Sequence, residues 1–273
     1  MRPKRHISLG VILSALMAAG LIAAYMVFAP THPRHPYLSG WVLFALMLVL
    51  TFFNLRKKVP FLRLGSASFW LRMHINLGLF SAVLFFAHMS WSLPGGIFHQ
   101  LLAWCYVVVF LSGILGWWMS RAFPKLLTIA GYETPYERIP FARASLRGEA
   151  EALVLAGKDG QTSAVTADFY TGRLGMFFAK PCNRWAHLRQ SRAPQKEHLS
   201  QFDEVERYST KGDREILAKL RDLVARKHML DYQYSLQSSL RLWLFVHIPL
   251  SYSLLVFSVL HIILVHAFSG AVT

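Results

Sequence analysis

The sequence predicts an all-α membrane helical bundle of five transmembrane helices, with a small α+β cytoplasmic insertion between the fourth and fifth. Three observations carry that expectation. Of 273 residues, 54% are hydrophobic, and at a mean hydropathy of +0.36 the apolar residues gather into long uncharged runs. All 14 acidic residues fall between Glu133 and Asp231, so the apolar runs contain none. Two of those runs carry histidines 14 positions apart, His74 with His88 and His247 with His261.

The first span is expected over Ile7 to Ala29, behind a basic leader from Arg2 to His6. A cleaved secretory leader is the competing reading, with small residues near Ala23 and Ala24. The apolar run is longer than a usual signal core and Pro30 disfavours cleavage after Ala29, which favours a retained helix. A short outer loop, Pro30 to Pro36, leads to a second, shorter span from Tyr37 to Leu55. A basic loop from Arg56 to Ser68 precedes the third span, Phe69 to Leu93, and a Pro94-Gly95-Gly96 turn separates it from the fourth, Ile97 to Phe123. The fifth runs from Leu240 to Phe268. The chain thus divides into helices one to four over residues 1–123, an inserted domain over 124–239, and the closing helix over 240–273.

Within the insertion, Ala152 to Ala156, Ser163 to Ala167 and Leu174 to Phe178 read as short strands, parted by turn signals at Lys158-Asp159-Gly160 and Thr171-Gly172. The basic stretch from Asn183 to Gln201 reads as an irregular surface loop. A helix then begins with Asp213 as N-cap and places Ile216, Leu217, Leu220, Leu223 and Val224 on one face.

Charge orients the bundle. Outside the insertion the basic residues are Arg2, Lys4, Arg5, Arg34, Arg56, Lys57, Lys58, Arg63, Arg72, Arg121 and Arg241. All but Arg34 sit at helix ends assigned to one side, so the positive-inside rule puts the N-terminus in the cytoplasm and the C-terminus outside, as for a multi-pass protein of a bacterial inner membrane. The basic excess therefore reports topology and a bilayer partner, and nucleic acid is not an expected one. Cys105 and Cys182 fall in different compartments, which excludes a disulfide framework. No Gly-x-Gly-x-x-Gly fingerprint occurs.

Fourteen residues at 100° each return to within about 40° of the starting face, and a rise of 1.5 Å per residue separates the two rings by about 21 Å. Each pair therefore places one histidine near each side of a bilayer. The third and fifth helices run in the same direction, so His74 shares a level with His247 and His88 shares one with His261. Two bis-histidine levels are what two b-type haems require, and six-coordinate iron of that kind carries single electrons without an open position for substrate. No catalytic residue is assigned. Gly78, Ser81 and Phe85 on the third helix, and Ser251, Leu254 and Ser258 on the fifth, lie between the histidines, where small residues admit a flat macrocycle. Arg72 and Arg241 are placed to meet haem propionates. Pro249 frees the carbonyl of Phe245 and allows a kink beside His247. His99 and His266 are expected at the interface, outside the ligand set.

Two membrane helices each carrying histidines at this spacing resemble the ferric reductase-like and NADPH-oxidase cytochrome b superfamily. Cytochrome b of the quinol-oxidising bc complexes has similar spacing. The resemblance covers Tyr37 to Phe268 apart from the insertion, and it implies that His74, His88, His247 and His261 are the axial ligands of two haems. It implies a dihaem subunit relaying electrons between a cytoplasmic or quinol donor and an extracytoplasmic acceptor. The chain departs from the family in ending near the fifth helix, without a flavin and nicotinamide domain. Redox partners are therefore expected: a flavoprotein, an iron–sulfur protein or a multihaem cytochrome, with quinone as a further candidate. The alternatives are a haem-containing membrane anchor or redox sensor, and a haem-free histidine channel or metal carrier. Absence of acids from the spans argues against the last.

Overall fold

A computed structural model describes residues 35–52, 66–129, 134–156 and 164–269. The expected first span lies outside the described residues, as do the basic loop from Arg56 to Gly65 and the Lys158-Asp159-Gly160 turn. Every regular element described is helical and none is a strand. The helices are α1 (His35–Thr51), α2 (Ala67–His88), α3 (Ile97–Ile129), α4 (Ile139–Ala156), α5 (Ala164–Phe169), α6 (Gly175–Ala179), α7 (Arg184–Leu188), α8 (Ala193–Glu206) and α9 (Lys211–Ser269). Three of them, α2, α3 and α9, are long and apolar enough to cross a membrane, and α1 is a shorter apolar helix. Their outward side chains include Trp41, Leu79, Leu101, Trp104, Phe245 and Ile263, a surface suited to lipid.

Two compact units result. One draws on Met1–Trp117 and Trp243–Thr273, the other on Trp118–Leu242.

In the first unit, α1 packs against α2. Leu43, Met47, Leu84, Phe85, Ala103, Tyr106 and Leu254 form its core. Ser66 starts α2 as an N-cap whose hydroxyl accepts the Phe69 N–H at 3.3 Å. The helix stops at His88, short of the expected Leu93, because Ser90 and Trp91 take left-handed backbone angles (φ 52° and 57°) and Trp91 N–H returns to the Phe86 carbonyl at 3.1 Å. Gly96, at φ 85°, completes the turn into α3. Pro249 is contained within α9, which ends at Ser269.

In the second unit the expected α+β character is corrected. Ala152–Ala156 closes α4, and the described part of Ser163–Ala167 belongs to α5. Leu174–Phe178 passes from a wide helical turn over Tyr170–Leu174 into α6. The reason is period. Leu146, Ala150 and Val154 recur every four residues, as do Tyr170, Leu174 and Phe178, and all six are buried in one cluster. At the Thr171-Gly172 signal the helix widens instead of turning, with the Thr171 hydroxyl donating back to the Ala167 carbonyl at 3.0 Å. The basic stretch from Asn183 is likewise helical. Pro194 suits the first turn of α8, and Phe202, 1% exposed, anchors that helix against Phe169 with ring centres 5.1 Å apart.

Boundaries move too. α3 continues through Pro124 to Ile129, and the Thr128 hydroxyl donates to the Pro124 carbonyl at 2.8 Å. No break occurs in α9 at Ser239. Its N-cap is Thr210, one turn before the expected position. Thr210 Oγ1 accepts the Asp213 N–H at 3.3 Å while Asp213 Oδ2 accepts the Thr210 N–H at 3.2 Å, a reciprocal capping box with Asp213 as its third helical residue.

The second unit also buries an ion pair on α9. Lys227 and Asp231 are 0% and 1% exposed in their side chains and bonded to each other. Lys227 Nζ donates to the Lys180 carbonyl at 2.8 Å and sits 4.3 Å from the Phe177 ring centre, and Asp231 Oδ2 accepts the Cys182 N–H at 3.1 Å. Burial pushes the Asp231 carboxyl up and the Lys227 ammonium down, so removal from water outweighs their mutual attraction.

Candidate functional site

His88 closes the last turn of α2, and His261 lies on α9 where that helix passes the same region. Their ring centres are 6.4 Å apart with the planes at 89°. A metal–imidazole bond of about 2.0 Å, with about 1.1 Å from the bonded nitrogen to the ring centre, sets two ligand rings on opposite sides of one ion about 6 Å apart. The observed separation fits that requirement. Both residues line a cavity of about 400 Å³ with Gly40, Met47, Phe85, Tyr106 and Ser258 among its walls, within the size range of ligand and cofactor sites.

The rings are held by hydroxyls from neighbouring helices. Ser39 on α1, 2% exposed, places its Oγ 3.0 Å from His88 Nδ1. Ser112 on α3 places its Oγ 3.1 Å from His247 Nδ1. A metal-bound imidazole keeps its proton on the other nitrogen and donates it to such a partner, so both contacts leave Nε2 as the atom that would bind a metal. The next residue is glycine in both cases. A Cβ on Gly40 would lie 3.1 Å from His88 Cε1, and one on Gly113 would lie 3.8 Å from His247 Cε1. Leu38-Ser39-Gly40 and Leu111-Ser112-Gly113 are thus a repeated cradle, with hydroxyl and bare backbone facing one imidazole. Histidine spacing alone did not reveal these residues. The signal that finds them is the duplicated tripeptide on the two helices that carry no paired histidine.

His247 is further fixed by Trp243, stacked on it at 5.1 Å and 22°. The Trp243 indole N–H donates to the Ser112 carbonyl at 2.8 Å, and Gly116 makes room for the ring: a Cβ there would fall 1.8 Å from Trp243 Cζ2. His74 and His247 are both half-buried and close enough to interact electrostatically. The structure therefore brings His88 and His261 together and places His74 within electrostatic reach of His247.

The remaining candidates separate. Phe85 is 5% exposed and stacks on Tyr106 at 3.9 Å and 15°, forming a wall of the cavity. Ser81 bonds the Tyr106 hydroxyl at 2.8 Å and donates to the Gly78 carbonyl, so it anchors that wall. Gly78 has nothing within 4 Å of a Cβ position. Ser251 and Ser258 bond back to the carbonyls of His247 and Leu254 at 2.8 Å each, and Ser258 lines the cavity. Arg72 is exposed on α2. Arg241 belongs to the second unit, where it pairs with Glu137 and lies 4.0 Å from the Tyr136 ring centre. His99, expected outside the ligand set, lines the cavity with its ring centre 5.1 Å from that of His261. His266 lines it as well, against Tyr37 and Trp41.

His261 Nδ1 is buried with no hydrogen-bond partner, unlike the clamped nitrogen of His88. Among the described residues no group of three or more His, Cys, Asp or Glu side chains is arranged to hold a metal ion. His261 meets the rings of both His88 and His99. Searches against protein-family models, curated proteins and solved structures find no match to this chain.

Proposed function

We propose that this chain is a dihaem b-type membrane cytochrome, an electron-transfer subunit of an oxidoreductase complex in a bacterial inner membrane. It would relay electrons between a cytoplasmic or quinol donor and an extracytoplasmic acceptor, with the N-terminus in the cytoplasm. One observation carries the reading. His88 and His261 meet across a cavity at the spacing two axial ligands need, and the Ser-Gly cradle that orients His88 recurs at His247.

When bound, each haem would supply a one-electron carrier. The chain's own residues do the rest. His88 and His261 would hold one group, and His74 and His247 the other. With the imidazoles protonated on Nδ1, Ser39 and Ser112 would accept that proton's hydrogen bond from His88 and His247 and leave Nε2 free to coordinate. The apolar walls, Met47 and the Phe85–Tyr106 stack among them, would keep water from a bound group. Arg72 remains the candidate for a propionate. Arg241, already paired with Glu137, is the weaker one.

Reduced-minus-oxidised spectra and a haem assay on purified protein test the reading. Two b-type haems per chain are expected, falling to one in the His88→Ala, His261→Ala double variant. Absence of a b-type spectrum in protein made with ample haem, or retention of both haems in the double variant, overturns it.

A further inference from the structure

The second unit contains a cavity of about 640 Å³ where α7, α8 and α9 meet. Two histidines line it, and their burial is unusual. His228 on α9 is 6% exposed, with neither ring nitrogen hydrogen-bonded. His187 on α7 is 8% exposed, with Nε2 unpartnered. Their ring centres are 6.0 Å apart. Buried nitrogens of this kind are normally satisfied, and these three belong to side chains that line the cavity.

The charge around the cavity names its sign. From Phe169 to Lys196 the chain carries Arg173, Lys180, Arg184, Arg189, Arg192 and Lys196 and no acid. Arg173 is paired with Glu204 and Arg184 is bonded to Ser239. Arg192 lines the cavity, exposed and without an acidic partner among the described residues. None of the lining residues is acidic. Asp231, the carboxylate that acts on His187, is paired with Lys227. Leu126, Ala225 and Met229 add apolar surface to the lining, which suits an organic body better than a bare ion.

We propose that this cavity binds a small organic molecule carrying an oxyanion, either carboxylate or phosphate. Arg192 meets its charge, His187 and His228 donate to its oxygens, and the Leu126 and Met229 side receives its apolar part. The proposal stands independently of the haems, because every residue in it belongs to the second unit.

Calorimetric titration of the full chain in detergent with benzoate, with phenyl phosphate, and with benzyl alcohol as the neutral counterpart tests it. Saturable binding of at least one anion is expected, with none of the alcohol, and the tighter anion identifies the headgroup. Arg192→Gln and His228→Phe should each weaken binding at least about ten-fold. Lys196→Gln, in the same basic segment but outside the cavity wall, should leave binding unchanged. Arg192 is exposed, so its variant should fold and still test the cavity even if His228→Phe misfolds. Failure of both anions to bind, equal binding of the alcohol, or an equal effect of Lys196→Gln and Arg192→Gln overturns the proposal.

Discussion

Gly116→Ala should damage the His247 site without touching a histidine. The added Cβ would fall 1.8 Å from Trp243 Cζ2 and 2.3 Å from Cε2, whereas carbon atoms in contact settle at about 3.5–4.0 Å. The indole must therefore move by about 2 Å. A rigid ring cannot absorb that at its tip, so its 2.8 Å bond to the Ser112 carbonyl breaks and its stack on His247 opens. Overpacking costs about 1–3 kcal/mol and the lost hydrogen bond about 1 kcal/mol, giving a destabilisation of about 2–4 kcal/mol. Gly78→Ala is the matched control, since a Cβ there meets nothing within 4 Å. Thermal unfolding of the two variants in the same detergent measures the difference. Equal unfolding temperatures, or a Gly116 variant indistinguishable from wild type, would refute the packing argument.

Three further outcomes follow from the same geometry. Ser39→Ala and Ser112→Ala each remove the hydroxyl beside a ligand Nδ1, so each should weaken retention of one haem by about 10–100-fold, read by haem titration of the purified apoprotein. Asp231→Asn leaves the Lys227 ammonium buried beside a neutral amide and should cost about 3–5 kcal/mol in unfolding free energy; the Lys227→Met, Asp231→Leu double variant should be less damaged than that single one. Desolvation, reinforced by His198, His187 and Lys227, holds His228 at about 3, against 6.5 for the free side chain. Its folded value is depressed, so its contribution is intact above pH 6.5. As pH falls below that value the unfolded chain takes up a proton that the folded chain refuses, and stability declines by about 1.4 kcal/mol per pH unit. Thermal melts between pH 7 and pH 4 should therefore show a shallower decline in His228→Phe than in wild type.

The long apolar helices were legible because composition alone separates a membrane span from a soluble helix. The nearness of His88 and His261 was expected from the fourteen-residue spacing together with the charge map, which runs their helices in the same direction. The insertion was misread because Ala152–Ala156 and Leu174–Phe178 are short apolar runs that fit strand or helix equally well. What decides between them, the four-residue return of Leu146, Ala150 and Val154, lies mostly upstream of the run itself. The place of Arg241 was hidden for another reason: its partner, Glu137, is about a hundred positions away, and no local pattern announces such a contact. The Lys227–Asp231 pair has the same four-residue spacing as the exposed Arg147–Glu151 pair, and spacing does not report depth.

The Leu-Ser-Gly repeats give the two histidine levels separate owners. The hydroxyl that steadies His88 comes from α1, and the one that steadies His247 comes from α3. Neither donor helix contributes a paired histidine, so each can change without altering a ligand. Substituting Ser39 alters a contact to His88 alone, and substituting Ser112 alters one to His247. The two hydroxyls are in that sense modular: His88 and His247 lie on different helices, and each has a serine of its own.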